Sequence, residues 1–425
     1  MGEAVWDRAE QERQGWAVIR HVLDEDAATS LARDGQVRSL AEQERLAWAV
    51  FDSVFRLGRL QPLVDDERVE NIVITGADRV VVEYADGTFN RVAAVADSDE
   101  ELAEFLGFLA ARSADPRSFS TAEPSLHLTL EDGSRLAADW DTARISVVIR
   151  RHRVRQVTLA DLVAWGSLSP VAASFLRAAV QARKSIVVSG SQGAGKTTCL
   201  RALCAEIDPW ESVGTFETEL ELFVHELPDQ HHIVHAWQAR PGSGERGADG
   251  RAAGARSIAD QVVDSFRFYL GRQIQGEIRG PEVWSMIKLM ESGSGSISTT
   301  HAANARAAMR KLVTCAMEAG PSISQELAAA KLADTVDVVV HLACDIVRET
   351  VDGPAGRKNR YVEEILEVTP GERDRGIATQ PIFRPLRGEC AVANLIPDAL
   401  IGDLLEHGFD LAGFERELAQ HRGVR

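Results

Sequence analysis

Only five cysteines occur in 425 residues, Cys199, Cys204, Cys315, Cys344 and Cys390. They form no CxxC pair and no Cys/His spacing suited to zinc, which excludes a disulfide framework and a structural zinc module. A reduced, cytoplasmic compartment is the expected setting. Long apolar runs are also lacking, and none approaches the roughly 18 residues of a membrane span. The opening MGEAVWDRAEQERQ is acidic and polar, unlike a signal peptide, so membrane association is expected only through a partner. Basic residues are the minority charge: 47 Lys and Arg against 64 Asp and Glu give a net charge of −17. Nucleic-acid affinity comes largely from cations that neutralise phosphates, so this balance argues against a polyanion-gripping protein. No repeat at solenoid periods is present.

What is present is a soluble composition, 45% hydrophobic, long enough for two or three domains. Residues 1–58 read as a helical segment. Leu46, Val50 and Val54 recur every four residues with Ala47, Phe51 and Phe55 beside them, one apolar helix face. Over 59–152 the period changes to two. Asp86-Gly87 and Asp132-Gly133 sit between alternating runs, a hairpin signal, and DEELAEFLGFLAARSA between them reads as a helix. This predicts an α+β domain with an antiparallel sheet. A linker at 153–170 carries a capping box at Thr158 and Asp161, and Ser169-Pro170 opens the next helix. Strands and helices alternate over 171–345, predicting an α/β nucleotide-binding domain. The Gly- and Arg-rich stretch Ala239–Ser257 predicts a mobile loop, either a plain linker or one that orders over a phosphate or a neighbouring subunit. Residues 346–425 read as a C-terminal extension of polar connections, a last strand (YVEEILEV) and an acidic helical tail.

The chemistry lies in Gly190, Ser191, Gln192, Gly193, Ala194, Gly195, Lys196 and Thr197, which fit G-x-x-x-x-G-K-[ST] without mismatch and continue into Thr198. The apolar strand Ile186–Val188 enters and a helical run leaves. Glycines at 190, 193 and 195 let backbone N–H groups converge on phosphate oxygens, and the helix adds its positive end. Lys196 is then the cation for the β- and γ-phosphates and Thr197 the hydroxyl for Mg²⁺, so ATP and Mg²⁺ are the expected ligands. Hydrolysis needs further carboxylates, for which Glu217, Glu221 and Glu277 are candidates. Arg240, Arg267 and Arg279 lie in the same domain, and Arg135, Arg150 and Arg151 in the antiparallel one. These are candidates to offset phosphate charge. His301, at the end of a predicted strand, is a candidate to sense the nucleotide.

The order GSQGAGKTT, TFETELEL, HAWQARP, QGEIRGPE, GSISTTHAANARAAMRKL resembles the type II/type IV secretion-system ATPase superfamily, most closely the ATPases of the Tad/Flp pilus (CpaF/TadA-like). The resemblance implies a RecA-like P-loop domain preceded by an α+β domain. It implies a hexameric ring, with the nucleotide between the two domains of a subunit and near a neighbour. Glu217 and Glu221 fall in the Asp box, Glu277 is the Walker B glutamate and a metal-side residue with Thr197, His301 is the His-box histidine, and Arg240 matches the arginine of the ARP segment. The implied work is ATP-driven domain motion for pilin assembly or protein export, with an inner-membrane platform protein as partner at the inner face of the cytoplasmic membrane.

Four places depart from the family pattern, the first being Thr218, which stands after Glu217 where the Asp box has an acid. The strand before Glu277 carries Gln273 and Gln275 where apolar residues are expected, and buried glutamines need hydrogen-bond partners. Tyr269-Leu270-Gly271 stands where the family has an arginine and an aspartate. Near Ser294 an acidic residue and one position are missing. Two other readings therefore stand beside the motor: a nucleotide-gated ring subunit with weak hydrolysis, and a DNA-translocating motor of the same superfamily.

Overall fold

The computed structural model describes residues 7–34, 38–113, 118–151, 156–240, 242, 252–347, 357–372 and 376–421. Most of the predicted mobile loop at 239–257 lies outside these residues. The chain divides into two compact units, 1–153 with 350–356, and 154–349 with 357–425.

In the first unit, helices α1 (Arg8–Asp34) and α2 (Leu40–Phe55) pack as a pair. Their contact uses one side of the expected apolar face. Ala47 and Phe51 are buried with Ile19, whereas Val50 and Val54 are exposed. Aromatic geometry decides the face: the Trp16 ring stacks on Phe51 at 4.6 Å and Phe55 extends the row. A short helix α3 (Gln61–Asp65) leads into β1 (Val69–Thr75), β2 (Arg79–Tyr84), β3 (Phe89–Val92), α4 (Asp99–Arg112), β4 (Ser125–Thr129), β5 (Arg135–Asp139) and β6 (Ser146–Arg150). The six strands form one antiparallel sheet in the order β3-β2-β1-β6-β5-β4. Gly87 and Gly133 take φ of +86° and +82° in the two hairpin turns, as their Asp-Gly sequence requires. Leu126 and Leu128, with Ile72, Ile74 and Val147, share one core with Leu102 and Leu106 of α4.

In the second unit the capping box of Thr158 and Asp161 forms and opens α5 (Leu159–Ala164), and Ser169 caps α6 (Pro170–Gln181). The expected linker thus contributes Val157, Leu159, Leu162 and Leu168 to the core. There follow β7 (Ile186–Gly190), α7 (Lys196–Cys204), β8 (Ser212–Glu217), β9 (Ile233–Gln238), α8 (Ile258–Ser265), β10 (Arg272–Ile278), α9 (Val283–Met290), β11 (Ile297–His301), α10 (Ala305–Glu318), α11 (Gln325–Thr335) and β12 (Val338–Val347). The residues expected as a C-terminal extension supply β13 (Arg357–Pro370), β14 (Ile377–Leu386), β15 (Glu389–Ala393), α12 (Asp398–Glu406) and α13 (Leu411–His421). All nine strands join in the order β15-β14-β13-β12-β7-β11-β10-β8-β9. From β12 to β9 the pairs are parallel, and β13, β14 and β15 add antiparallel.

Alternation makes this a three-layer unit. Ile186 and Val188 face a core with α5, α6 and α7, while Val187 between them faces α9, α10 and α11. The loop strand β7 is separated from β10 by β11, the strand order of a RecA-like core. No helix among the described residues is long and apolar enough to cross a membrane.

Candidate functional site

Strand β7 is wholly buried and ends at Gly190. A Cβ there would lie 2.6 Å from the Leu342 carbonyl oxygen on β12, so only glycine fits. Gly193 and Gly195 adopt φ of +76° and +91°, a region that L side chains disfavour. Gly195 caps α7 without any side-chain hydrogen bond, so no side chain competes for the amides of the first turn. This cradle fits a polyphosphate: glycine where bulk would intrude, a helix N-terminus, and a lysine at its first position.

The parallel register of β11 with β7 sets His301 beside Gly190. Lys196 is 8% exposed. Its Nζ donates to the Ser191 carbonyl at 2.8 Å and stands 3.0 Å from His301 Nδ1. Burial and then the Lys196 charge push the His301 pKa below its ordinary value, with Glu277 opposing. The imidazole is therefore neutral at pH 7, with Nδ1 accepting from the ammonium. On its other side Nε2 lies 2.9 Å from Glu277 Oε1, a contact without hydrogen-bond alignment. Glu277 Oε2 accepts from Arg279 Nη2 at 2.6 Å. Burial raises the Glu277 pKa, but the Arg279 hydrogen bond and the charges of Arg279 and Lys196 outweigh it, and the net shift is downward. Lys196, His301, Glu277 and Arg279 thus form one row beside the loop.

A second row starts at Thr197, whose Oγ1 is 3.4 Å from Glu221 Oε2. Glu217 sets that position from behind. Its Oε2 accepts from the backbone N–H of Glu221 at 2.7 Å and of Leu222 at 2.9 Å. At 2% exposure its pKa is pushed up to about 7, chiefly by burial. Arg201, buried on α7, donates to the Glu221 carbonyl at 2.9 Å and lies over the Phe223 ring. Among the described residues no group of three or more His, Cys, Asp or Glu is spaced to hold a metal. The oxygen donors at the loop are the Thr197 hydroxyl and the Glu221 carboxylate, a set suited to Mg²⁺ that shares its coordination with phosphate.

The remaining predicted residues lie elsewhere. Arg240 is exposed, and its backbone pairs with that of Arg256. Arg267 is exposed, 3.9 Å from Asp264. In the first unit, Arg135 and Arg150 are cross-strand partners on the open face of the sheet. Arg151 is mostly buried, with Nη1 donating to the Asp66 and Val69 carbonyls. The structure brings in two residues that the sequence did not single out: Arg360 donates Nε–H to the Gly193 carbonyl at 2.9 Å, and Lys358 stands beside it on β13. Their only signal was the basic character of GRKNR.

Gln273 and Gln275 have opposite fates. Gln273 Oε1 accepts from Ser294 and, at 3.4 Å, from Ser292, so two departures from the family pattern meet each other. Gln275 is 1% exposed and both of its amide atoms lack partners.

A glycine cradle, its lysine and a carboxylate two strands away on β10 define a P-loop nucleotide-binding protein of RecA-like architecture. Residues 135–369 match the family described as "Type II/IV secretion system protein", and the chain belongs to that family of secretion-system ATPases. It is 30% identical over 319 residues to the type IV secretion system protein VirB11 of Brucella suis, covering 68% of this chain and 84% of that one. It is 36% identical over 145 residues to PtlH of Bordetella pertussis, a type IV secretion system protein, covering 34% and 40%. The crystal structure of the Brucella suis VirB11 ATPase in complex with sulphate aligns at 26% identity and a TM-score of 0.37, covering 76% and 96%.

Proposed function

We propose that this chain binds and hydrolyses ATP as a subunit of a hexameric motor, coupling turnover to domain motion that drives pilin assembly or protein export. The observation that carries the reading is the row Lys196–His301–Glu277, which joins the phosphate loop to β10 through one neutral imidazole. Lys196 passes from Ser191 and His301 to the β- and γ-phosphates, since a charged acceptor outcompetes neutral ones. Glu277, held ionised by Arg279, orients the attacking water. His301 reports whether Lys196 is engaged with phosphate. Bound Mg²⁺ supplies charge neutralisation on the phosphates, with Thr197 and Glu221 as the donors in reach of each other and Glu277 as a further metal-side carboxylate. Arg240, at the position of the family's ARP arginine, is a further candidate to offset phosphate charge. The setting is the cytoplasmic side of the inner membrane, against a platform protein, in a Tad-like pilus or a type IV secretion system.

The test is turnover of the purified chain with Mg-ATP. Turnover that vanishes in both Lys196→Ala and Glu277→Gln supports the motor. The orphaned Gln275 on β10 favours a second reading, a nucleotide-gated ring subunit. Nucleotide binding with equally negligible turnover in wild type and Glu277→Gln would select it.

A further inference from the structure

The β12–β13 hairpin continues past the phosphate loop. Leu342 on β12 pairs with Gly190, where β7 ends, yet β12 runs on to Val347 with β13 alongside. At about 3.3 Å per residue the paired strands extend on the order of 15 Å beyond β7. Side chains alternate along β13, so Val362, Arg360 and Lys358 share one face. Val362 is buried in the core with Leu342 and α7, which fixes that face as the one carrying the loop. The backbone is pinned there: the Ser167 hydroxyl donates to the Arg360 carbonyl at 2.7 Å and Val362 N–H to the Ser167 carbonyl at 2.8 Å. Arg360 then donates to the Gly193 carbonyl at 2.9 Å, and its Cδ lies 3.9 Å from where a Gly195 Cβ would be. Lys358 Nζ lies 3.9 Å from where a Gly193 Cβ would be.

We propose that Arg360 and Lys358 are nucleotide-site residues supplied in cis by β13, Arg360 positioning the loop through the Gly193 carbonyl and Lys358 adding its charge to the same polyphosphate. A peptide's C=O and the following N–H point in opposite directions, so holding the Gly193 carbonyl toward β13 turns the Ala194 amide toward the other side of the loop. Two cations at the same turn raise the affinity for a highly charged ligand. This deepens the nucleotide reading and rests on it.

The experiment is equilibrium titration of the full chain with fluorescent Mg-ATP and Mg-ADP, at low and high salt, for wild type, Lys196→Ala, Arg360→Ala, Arg360→Lys and Lys358→Ala. Arg360→Ala and Lys358→Ala should each weaken binding by about tenfold, and Arg360→Lys should restore part of the loss. The deficit of Lys358→Ala should shrink at high salt, as a screened charge effect does and a folding defect does not. Lys358 is half-buried and belongs to no hydrophobic core cluster of the described residues, so that variant keeps the test open if Arg360→Ala unfolds. Wild type binding, Lys196→Ala losing it, and Lys358→Ala and Arg360→Ala staying within about twofold of wild type would overturn this inference alone. Absence of binding in wild type would overturn the nucleotide reading itself.

Discussion

The Nδ1 of His301 lies 3.0 Å from the ammonium of Lys196. A cation and an imidazole at that distance are compatible only while the imidazole is neutral, and burial beside Lys196 keeps it so by lowering its pKa. A neutral imidazole accepts from the ammonium without repelling it, which is what the sensing role proposed for His301 requires.

His301→Gln should reduce turnover by about a hundredfold, the lower end of what a positioned acid–base group contributes, while changing ATP affinity little. The pH profile separates this from a folding effect. As pH falls below the ordinary imidazole value toward the lowered one, wild type gains an imidazolium against Lys196 and turnover drops. The glutamine variant has no such group and should lack that acid arm. An identical acid arm in both proteins would remove His301 from the account.

Glu217 gives a stability prediction of definite sign. Its native pKa, about 7, exceeds the ordinary 4.5. Between those values the native state holds the extra proton, so this contribution is fully present below pH 4.5 and is lost as pH rises through 7. The span corresponds to on the order of 3 kcal/mol. Glu217→Gln keeps an acceptor for the Glu221 and Leu222 amides without a buried charge. Denaturant melts at pH 5 and pH 8 should show wild type losing stability between them relative to this variant. Equal pH dependence in the two would mean that Glu217 ionises without penalty.

Much of this architecture was legible because local chemistry and tertiary packing agree. Asp86-Gly87 and Asp132-Gly133 demanded positive φ and received it, and the loop between Gly190 and Thr198 is defined by its own residues. Legibility fails where a neighbour decides. The apolar face read on α2 spans Leu46, Val50 and Val54 with Ala47, Phe51 and Phe55, and Trp16 from α1 selects only the Ala47, Phe51 and Phe55 side of it. Arg360 was invisible because its contact with Gly193 spans 167 positions and depends on a nine-stranded sheet order. Apart from the family resemblance, nothing local in the sequence distinguishes the three glutamates. The structure separates them by burial: Glu217 behind the turn, Glu221 at Thr197, Glu277 at His301.

The glutamines of β10 should respond in opposite directions. Gln275 buries an amide with no partner, so Gln275→Leu removes an unmet desolvation cost and should stabilise the fold by about 1–2 kcal/mol. Gln273 accepts from Ser294 and Ser292, so Gln273→Leu should destabilise by about 1 kcal/mol. Chemical denaturation of both variants checks this, and a destabilised Gln275→Leu would reveal a partner for that amide.

Strand β10, seven residues long, begins with a buried charge at Arg272 and ends one residue past Glu277, so the fixing of its first residue bears on the site at its other end. Arg272 is 1% exposed and meets Glu211 through two nitrogens, Nε at 2.8 Å and Nη2 at 3.2 Å, with Nη1 3.5 Å from the Gly295 carbonyl. Glu211 also meets Arg183, an exposed partner whose pairing contributes little. The two ends of the ion pair are therefore unequal. Glu211→Ala leaves a guanidinium buried without a carboxylate and should destabilise by about 3–5 kcal/mol. Arg272→Met fills a similar volume and leaves Glu211 with Arg183 and solvent, so its loss should be clearly smaller. Because β10 carries Glu277 on the same strand, Glu211→Ala should also lower turnover at temperatures where the protein is still folded. Thermal melts and turnover on the two variants test the asymmetry, and equal destabilisation by both would show that the buried cation carries no special penalty.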